Sequence, residues 1–107
     1  MAYTGNAYLW TAESLGTFND VGGVYWIVQP PVSAGGAHRV IYVGRTDSFK
    51  RRLPEHFNDR SDCIWKYGPS HVYAEVIATD AARIAREKAE IIAYQRISQA
   101  PCNEKVG

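Results

Sequence analysis

The segment Gly-Gly-Val-Tyr-Trp-Ile-Val-Gln, residues 22–29, is β-branched and aromatic and carries no polar residue before its last position. Glycines open it and Pro30 and Pro31 close it, so it predicts a strand with a hard stop. A long loop leads to Arg-Val-Ile-Tyr-Val-Gly, residues 39–44, a second strand that pairs most simply with the first as an antiparallel hairpin. Phe49, Leu53 and Phe57 then recur at helical spacing, and Thr46 or Asp47 can cap the helix they define. Pro54 lies inside that helix and is expected to kink or shorten it, because it removes a backbone donor and crowds the preceding turn. Residues 59–70 read as a loop or short turn carrying Trp65 and Tyr67. Residues 71–79 alternate and predict a third strand, with Asp80 expected to cap a second helix. That helix, residues 81–98, is rich in helix formers and free of glycine and proline, which makes it the longest predicted, ending before Pro101. The fold class is therefore α/β in the α+β sense. A small three-stranded antiparallel sheet is flanked by helices in the order β-β-α-β-α. It is preceded by an N-terminal arm, residues 1–21, whose Leu9, Trp10, Leu15 and Phe18 pack onto the body.

At 107 residues the chain reads as one domain, 1–107, with room for one modest core and one site. Twelve basic against eleven acidic residues leave a charge of +1, too little for bulk polyanion binding, so any nucleic-acid contact must be local. Cys63 and Cys102 are far apart and in no CxxC arrangement, which suggests neither a zinc knuckle nor a disulfide scaffold and fits a reducing cytosol. The N-terminus lacks a basic flank before an apolar core, and no apolar run is long enough to span a bilayer. The expected setting is cytoplasmic, away from membranes.

On these elements Tyr25 and Tyr42 sit in the hairpin strands, Arg52 and His56 share a helix face at i and i+4, and Glu87 lies on the long helix. This set suits phosphodiester chemistry. A hard divalent cation can be held by a single carboxylate with waters and substrate phosphate around it, a place Glu87 can fill. A planar, permanently charged guanidinium such as Arg52 matches the negative charge that builds on phosphoryl oxygens. A phenol can take a proton from the attacking water if a metal or histidine lowers its pKa. Each residue also has a structural explanation. Tyrosines pack well in strands, an arginine beside Lys50 and Arg51 suits a solvated helix face, and Glu90 has the same chemistry as Glu87. Helical geometry favours Glu87, since Ile84, Ile91 and Tyr94 lie at three- and four-residue offsets from it or one turn beyond. Glu90 is placed to pair with Arg86 on the surface.

Over about residues 22–103 the chain resembles a GIY-YIG nuclease domain. Gly23-Val24-Tyr25 matches the first signature element and Tyr42-Val43-Gly44 the second. Arg52 and His56 follow in register, Glu87 falls on the later helix, and Asn103 stands in a Pro-x-Asn context. The loop between the two tyrosines is longer than usual in the family, and Pro54 between Arg52 and His56 is the more serious departure. The resemblance implies an endonuclease that hydrolyses a phosphodiester bond in DNA by direct attack of water, dependent on Mg2+ or another divalent cation such as Mn2+. It implies Tyr25 as general base with Tyr42 and His56 assisting, Arg52 on the phosphate, Glu87 on the metal and Asn103 steadying the site. Arg45, Lys50 and Arg51 are the candidate substrate contacts. One site cuts one strand, so double-strand cutting calls for a homodimer, a second event or a protein partner. The alternative is a non-catalytic nucleic-acid-binding module that keeps the fold and has lost turnover through a kink at Pro54.

Overall fold

A computed structural model describes residues 6–31 and 34–104. The first five residues of the predicted arm, residues 32 and 33 of the predicted loop, and the last three residues lie outside that description. Strand β1 (Tyr8–Leu9) and the one-turn helix α1 (Ala12–Leu15) come first, followed by β2 (Gly23–Gln29) and β3 (Arg39–Thr46). Helix α2 (Phe49–Asn58), a 3-10 helix (Cys63–Tyr67), β4 (His71–Val76) and helix α3 (Asp80–Gln95) complete the order. The sheet is antiparallel and has four strands, in the order β1-β4-β2-β3. The expected three-stranded sheet is thus corrected by a short fourth strand drawn from the N-terminal arm. Its pairing covers only Tyr8 against Val72 and Leu9 against His71, too short a run to show alternation in the sequence.

Strand β2 is central and buried on both faces, which is why it reads as a continuous apolar run. Tyr25 and Ile27 pack on one face with Trp10, Leu15, Ile41, Phe49, Leu53 and Ile64. Val24, Trp26 and Val28 pack on the other with Val40, Val43, Ile91 and Tyr94. Helix α2 and the arm therefore cover one face and α3 the other. Trp10 and Leu15 are buried as expected, whereas Leu9 is exposed.

Local boundaries differ from the expectations in instructive ways. Ser48 caps α2 rather than Thr46 or Asp47, its hydroxyl accepting from the Arg51 N–H, because β3 runs on through Thr46. Thr79 caps α3, accepting from the Ala82 N–H, and Asp80 occupies the first turn instead. Helix α2 continues through Pro54 to Asn58. The carbonyl left without a donor there belongs to Lys50, which is exposed and so open to water.

Cys63 and Cys102 form a disulfide, contrary to the expectation from their spacing. The pairing depends on tertiary structure, since it joins the start of the 3-10 helix to the segment after α3. That segment also closes the free edge of β3. The Ala100 N–H donates to the Val40 carbonyl and the Cys102 N–H to the Ile41 carbonyl. The Gln99 side-chain oxygen accepts from the Val40 N–H, and the Asn103 amide bonds both the N–H and the carbonyl of Val43.

Candidate active site

Strands β2 and β3 deliver the two tyrosines to one face through the regular part of their ladder, which ends in a local irregularity. Their register runs regularly from Gly23 opposite Thr46 to Ile27 opposite Tyr42, then shifts so that Val28 faces Val40. Ile41 is the extra residue of this bulge, and it packs with Tyr42 against the α2-side core while Val40 and Val43 pack on the other side. Regular alternation up to the bulge puts Tyr42 on the face of Tyr25, with ring centroids 6.1 Å apart, and the bulge adds Ile41 to that face. Gly44 lies directly opposite Tyr25 in the ladder. A Cβ on it would come within 2.4 Å of the Tyr25 hydroxyl and 2.8 Å of the Tyr42 ring, so only glycine leaves room for both phenols.

Helix α2 places His56 against both rings, its centroid 5.6 Å from Tyr25 and 5.4 Å from Tyr42. The Tyr25 hydroxyl is 2.7 Å from His56 Nε2. His56 Nδ1 lies 2.8 Å from an Asp62 carboxylate oxygen on the far side of the ring. Pro54 therefore leaves both helix residues in place, which removes the ground on which a kink would have displaced them. Arg52, one turn before His56, bonds Glu55 at 3.2 Å, and its charge favours the ionised forms of both the Tyr25 and Tyr42 phenols.

Burial pushes the Tyr25 phenol far above its usual range, reinforced by Tyr42 and opposed by Arg52. Tyr42 is raised by burial and by the negative charge of Glu87, again opposed by Arg52. His56 is lowered, chiefly because burial disfavours the imidazolium; the hydrogen bond to Asp62 works against that shift and the charge of Arg52 adds to it. At neutral pH the site therefore holds two neutral phenols and a neutral imidazole. A carboxylate only accepts, so His56 Nδ1 carries the proton to Asp62 and Nε2 accepts from Tyr25.

Glu87, on α3, lies close enough for its charge to raise both phenols, and it accepts from Arg45 of β3 at 2.6 Å. Arg45, expected as a substrate contact, is engaged by Glu87 in this structure. Lys50 and Arg51 lie on the exposed side of α2, and Arg51 is engaged by Asp47 at 2.6 Å. Asn103 reaches the site through the backbone, clamping Val43 between Tyr42 and Gly44.

The reading of Glu90 as a surface partner of Arg86 is corrected. Glu90 is 1% exposed and accepts from the indole N–H of fully buried Trp26 at 3.2 Å and from Arg86 at 3.1 Å. Ile84, expected on the inner stripe, is exposed instead. The stripe runs through Glu87, Glu90, Ile91 and Tyr94, so the expected one starts a turn too early and leaves out Glu90. Nothing in the sequence singles out Asp62. It sits in a polar stretch whose only local signal is a cap, its second oxygen accepting from the Ile64 N–H.

No protein-family profile matches the sequence, and no curated protein matches it. Solved structures do. The N-terminal endonuclease domain of UvrC from Thermotoga maritima, bound to its catalytic magnesium, superposes with a TM-score of 0.66 at 17% identity, over 86% of this chain and 93% of that one. Two tyrosine-to-phenylalanine point mutants of that domain, each with its catalytic divalent cation, give TM-scores of 0.67 at 17% and 16% identity, each over 87% of this chain and 93% of that one. The fold is that of a GIY-YIG endonuclease domain. At this identity the GIY-YIG likeness is one of fold, carried by the sheet and helices rather than by shared sequence.

The donor set fits a hard cation. Among the described residues no group of three or more His, Cys, Asp or Glu side chains is placed to hold a metal. A single carboxylate, Glu87, suits an ion that keeps water and substrate oxygens as its other ligands, as magnesium does and structural zinc does not.

Proposed function

We propose that the chain is a divalent-metal-dependent endonuclease that hydrolyses a phosphodiester bond in DNA. The observation that carries this reading is the Tyr25 hydroxyl at 2.7 Å from a histidine nitrogen that can only accept, with Arg52 beside it. A phenol pushed so far up cannot act as a standing phenolate. It can accept a proton from water only while handing its own to His56 Nε2, so base catalysis here is a concerted transfer of two protons through the Tyr25 oxygen. Arg52, charged at every working pH, stabilises the phosphoryl oxygens as negative charge develops. Tyr42 holds the far side of Tyr25, and Asn103 fixes the strand between them. Glu87 would hold a divalent cation whose chemistry, when bound, is to polarise the phosphoryl group and stabilise the leaving oxygen. Arg45 neutralises Glu87 in the absence of that ion.

The test is nicking of supercoiled plasmid with magnesium against the same reaction in EDTA. Arg52→Ala should lose two to three decades of rate, since one charge-stabilising donor is typically worth about 3 to 4 kcal/mol of barrier. Its fold should persist because the side chain is half-exposed. Metal-independent nicking, or full activity in Arg52→Ala, would overturn the proposal.

A further inference from the structure

We infer that Asp62 is a positioning residue of this site, which sets the tautomer of His56 and so decides whether Tyr25 can pass on its proton. The inference rests on the nuclease reading for its catalytic consequence but not for its structural content. Asp62 uses its two oxygens for different tasks. One accepts from the Ile64 N–H at 3.2 Å and fixes the carboxylate at the start of the 3-10 helix. The other lies 2.8 Å from His56 Nδ1, on a ring that is 3% exposed. The disulfide at the next residue, Cys63, anchors that turn to the segment after α3. The carboxylate is therefore held by two hydrogen bonds on a cross-linked turn, and the imidazole cannot rotate without losing a bond on each nitrogen.

The consequence is a directed line, Tyr25 O–H to Nε2 and Nδ1–H to Asp62. When Tyr25 gives its proton to Nε2 the ring becomes an imidazolium, and the charge of Asp62 is already in place to stabilise it. The proton count balances. One proton leaves water for the Tyr25 oxygen, one leaves that oxygen for Nε2, and the Nδ1 proton stays where it is. This is the same division of labour found where an acid, a histidine and a hydroxyl stand in line, with the acid orienting the ring rather than taking its proton.

The experiment combines nitrogen NMR of the His56 ring with plasmid nicking in the full chain and in Asp62→Asn. Asparagine keeps an oxygen for the Ile64 N–H but turns an N–H2 toward Nδ1, which favours the tautomer protonated on Nε2. The expected result is Nδ1–H in the parent, Nε2–H in Asp62→Asn, and a loss of cleavage on the order of 10² to 10⁴-fold, the usual worth of a base. DNA retention in calcium should stay within about twofold of the parent, because a residue that acts through His56 makes no substrate contact. A parent ring already protonated on Nε2 overturns the inference without any variant. So does an Asp62→Asn protein with the parent tautomer, or one with the inverted tautomer and undiminished cleavage. A parent that shows Nδ1–H and its inversion but nicks nothing supports the hold of Asp62 on His56 and defeats the nuclease reading instead.

Discussion

Glu87 and Glu90 are one turn apart and chemically alike, yet their surroundings predict opposite phenotypes. Glu90→Ala leaves the indole N–H of Trp26, a side chain with no exposure, without its acceptor. An orphaned buried donor costs about 1–3 kcal/mol, and the lost carboxyl leaves a space beside it. Arg86 is spared part of the usual penalty, because it keeps Glu75 at 3.1 Å and is 28% exposed. The total should therefore sit near the lower end of the range for breaking a buried pair, about 3 kcal/mol. For a domain of this size that lowers the melting temperature by roughly 12 °C, at about 4 °C per kcal/mol. Glu87 instead pairs with an Arg45 that is 43% exposed, a pair worth about 0–1 kcal/mol after solvent screening, so Glu87→Ala should melt near the parent. The functional contrast runs the other way. Glu87→Gln should retain DNA but lose magnesium-dependent nicking, whereas Glu90→Gln, which keeps an acceptor for Trp26, should cut. Thermal melts by circular dichroism and the nicking assay decide both halves. A Glu90→Ala protein as stable as the parent would refute the burial argument, and a dead Glu90→Gln beside an active Glu87→Gln would move the metal site by one turn.

Gly44→Ala should abolish nicking and cost about 1–3 kcal/mol, because its Cβ would come within 2.4 Å of the Tyr25 hydroxyl and the rings must shift; a folded, fully active variant would show that the phenols need not lie where they do. The acid limb of cleavage should have its midpoint below the ordinary histidine value of 6.5, since His56 is lowered by burial and must be neutral to accept a proton. The same shift means that the unfolded chain binds a proton the native state does not, so the His56 contribution to stability is present above the unfolded value and falls as pH drops toward the native one. A rate profile whose acid limb lies above the ordinary value would contradict both. Cys102→Ser should lower stability by about 2–4 kcal/mol through the loss of the cross-link. It should depress turnover more than DNA retention, because Asp62 and Asn103 are the immediate neighbours of the two half-cystines; unchanged melting and turnover would separate the cross-link from the site.

What could be read in advance depended on whether the signal was local. Strand β2 announced itself by a run of apolar residues, and Phe49, Leu53 and Phe57 by their spacing, since burial on a regular element imprints a period. The register of Tyr25, Tyr42, Arg52 and His56 came from the motif, and the structure brings those residues together. Strand β1 was illegible because two residues carry no period. Asp62 and the Cys63–Cys102 bond were illegible because they depend on partners six and thirty-nine residues away, across turns that any polar sequence could form. Glu90 was misread for a different reason. Its pairing with Arg86 at i, i+4 is real, but a helix wheel gives direction and not depth, and only the Trp26 indole shows that the carboxylate lies inside.

The backbone departs from regular geometry at the places that support the tyrosines. Ser98 and Ala100 adopt positive φ, 61° and 56°, in the left-handed region that residues with a Cβ seldom enter. Such residues cost on the order of 1–3 kcal/mol each unless the surroundings hold them there. Here the return turn brings Gln99 and Asn103 alongside β3, where their side-chain amides and the N–H groups of Ala100 and Cys102 take the place of a neighbouring strand. Without them the N–H groups of Val40 and Val43 would lack these acceptors on the strand that carries the bulge. A bulged edge strand is the part of a sheet most prone to shift register, and a shift of one residue would turn Tyr42 away from Tyr25. The strained turn therefore acts on the chemistry at one remove. It keeps β3 in the single register in which Gly44 passes beneath the phenols and the Tyr25 hydroxyl stands in reach of His56.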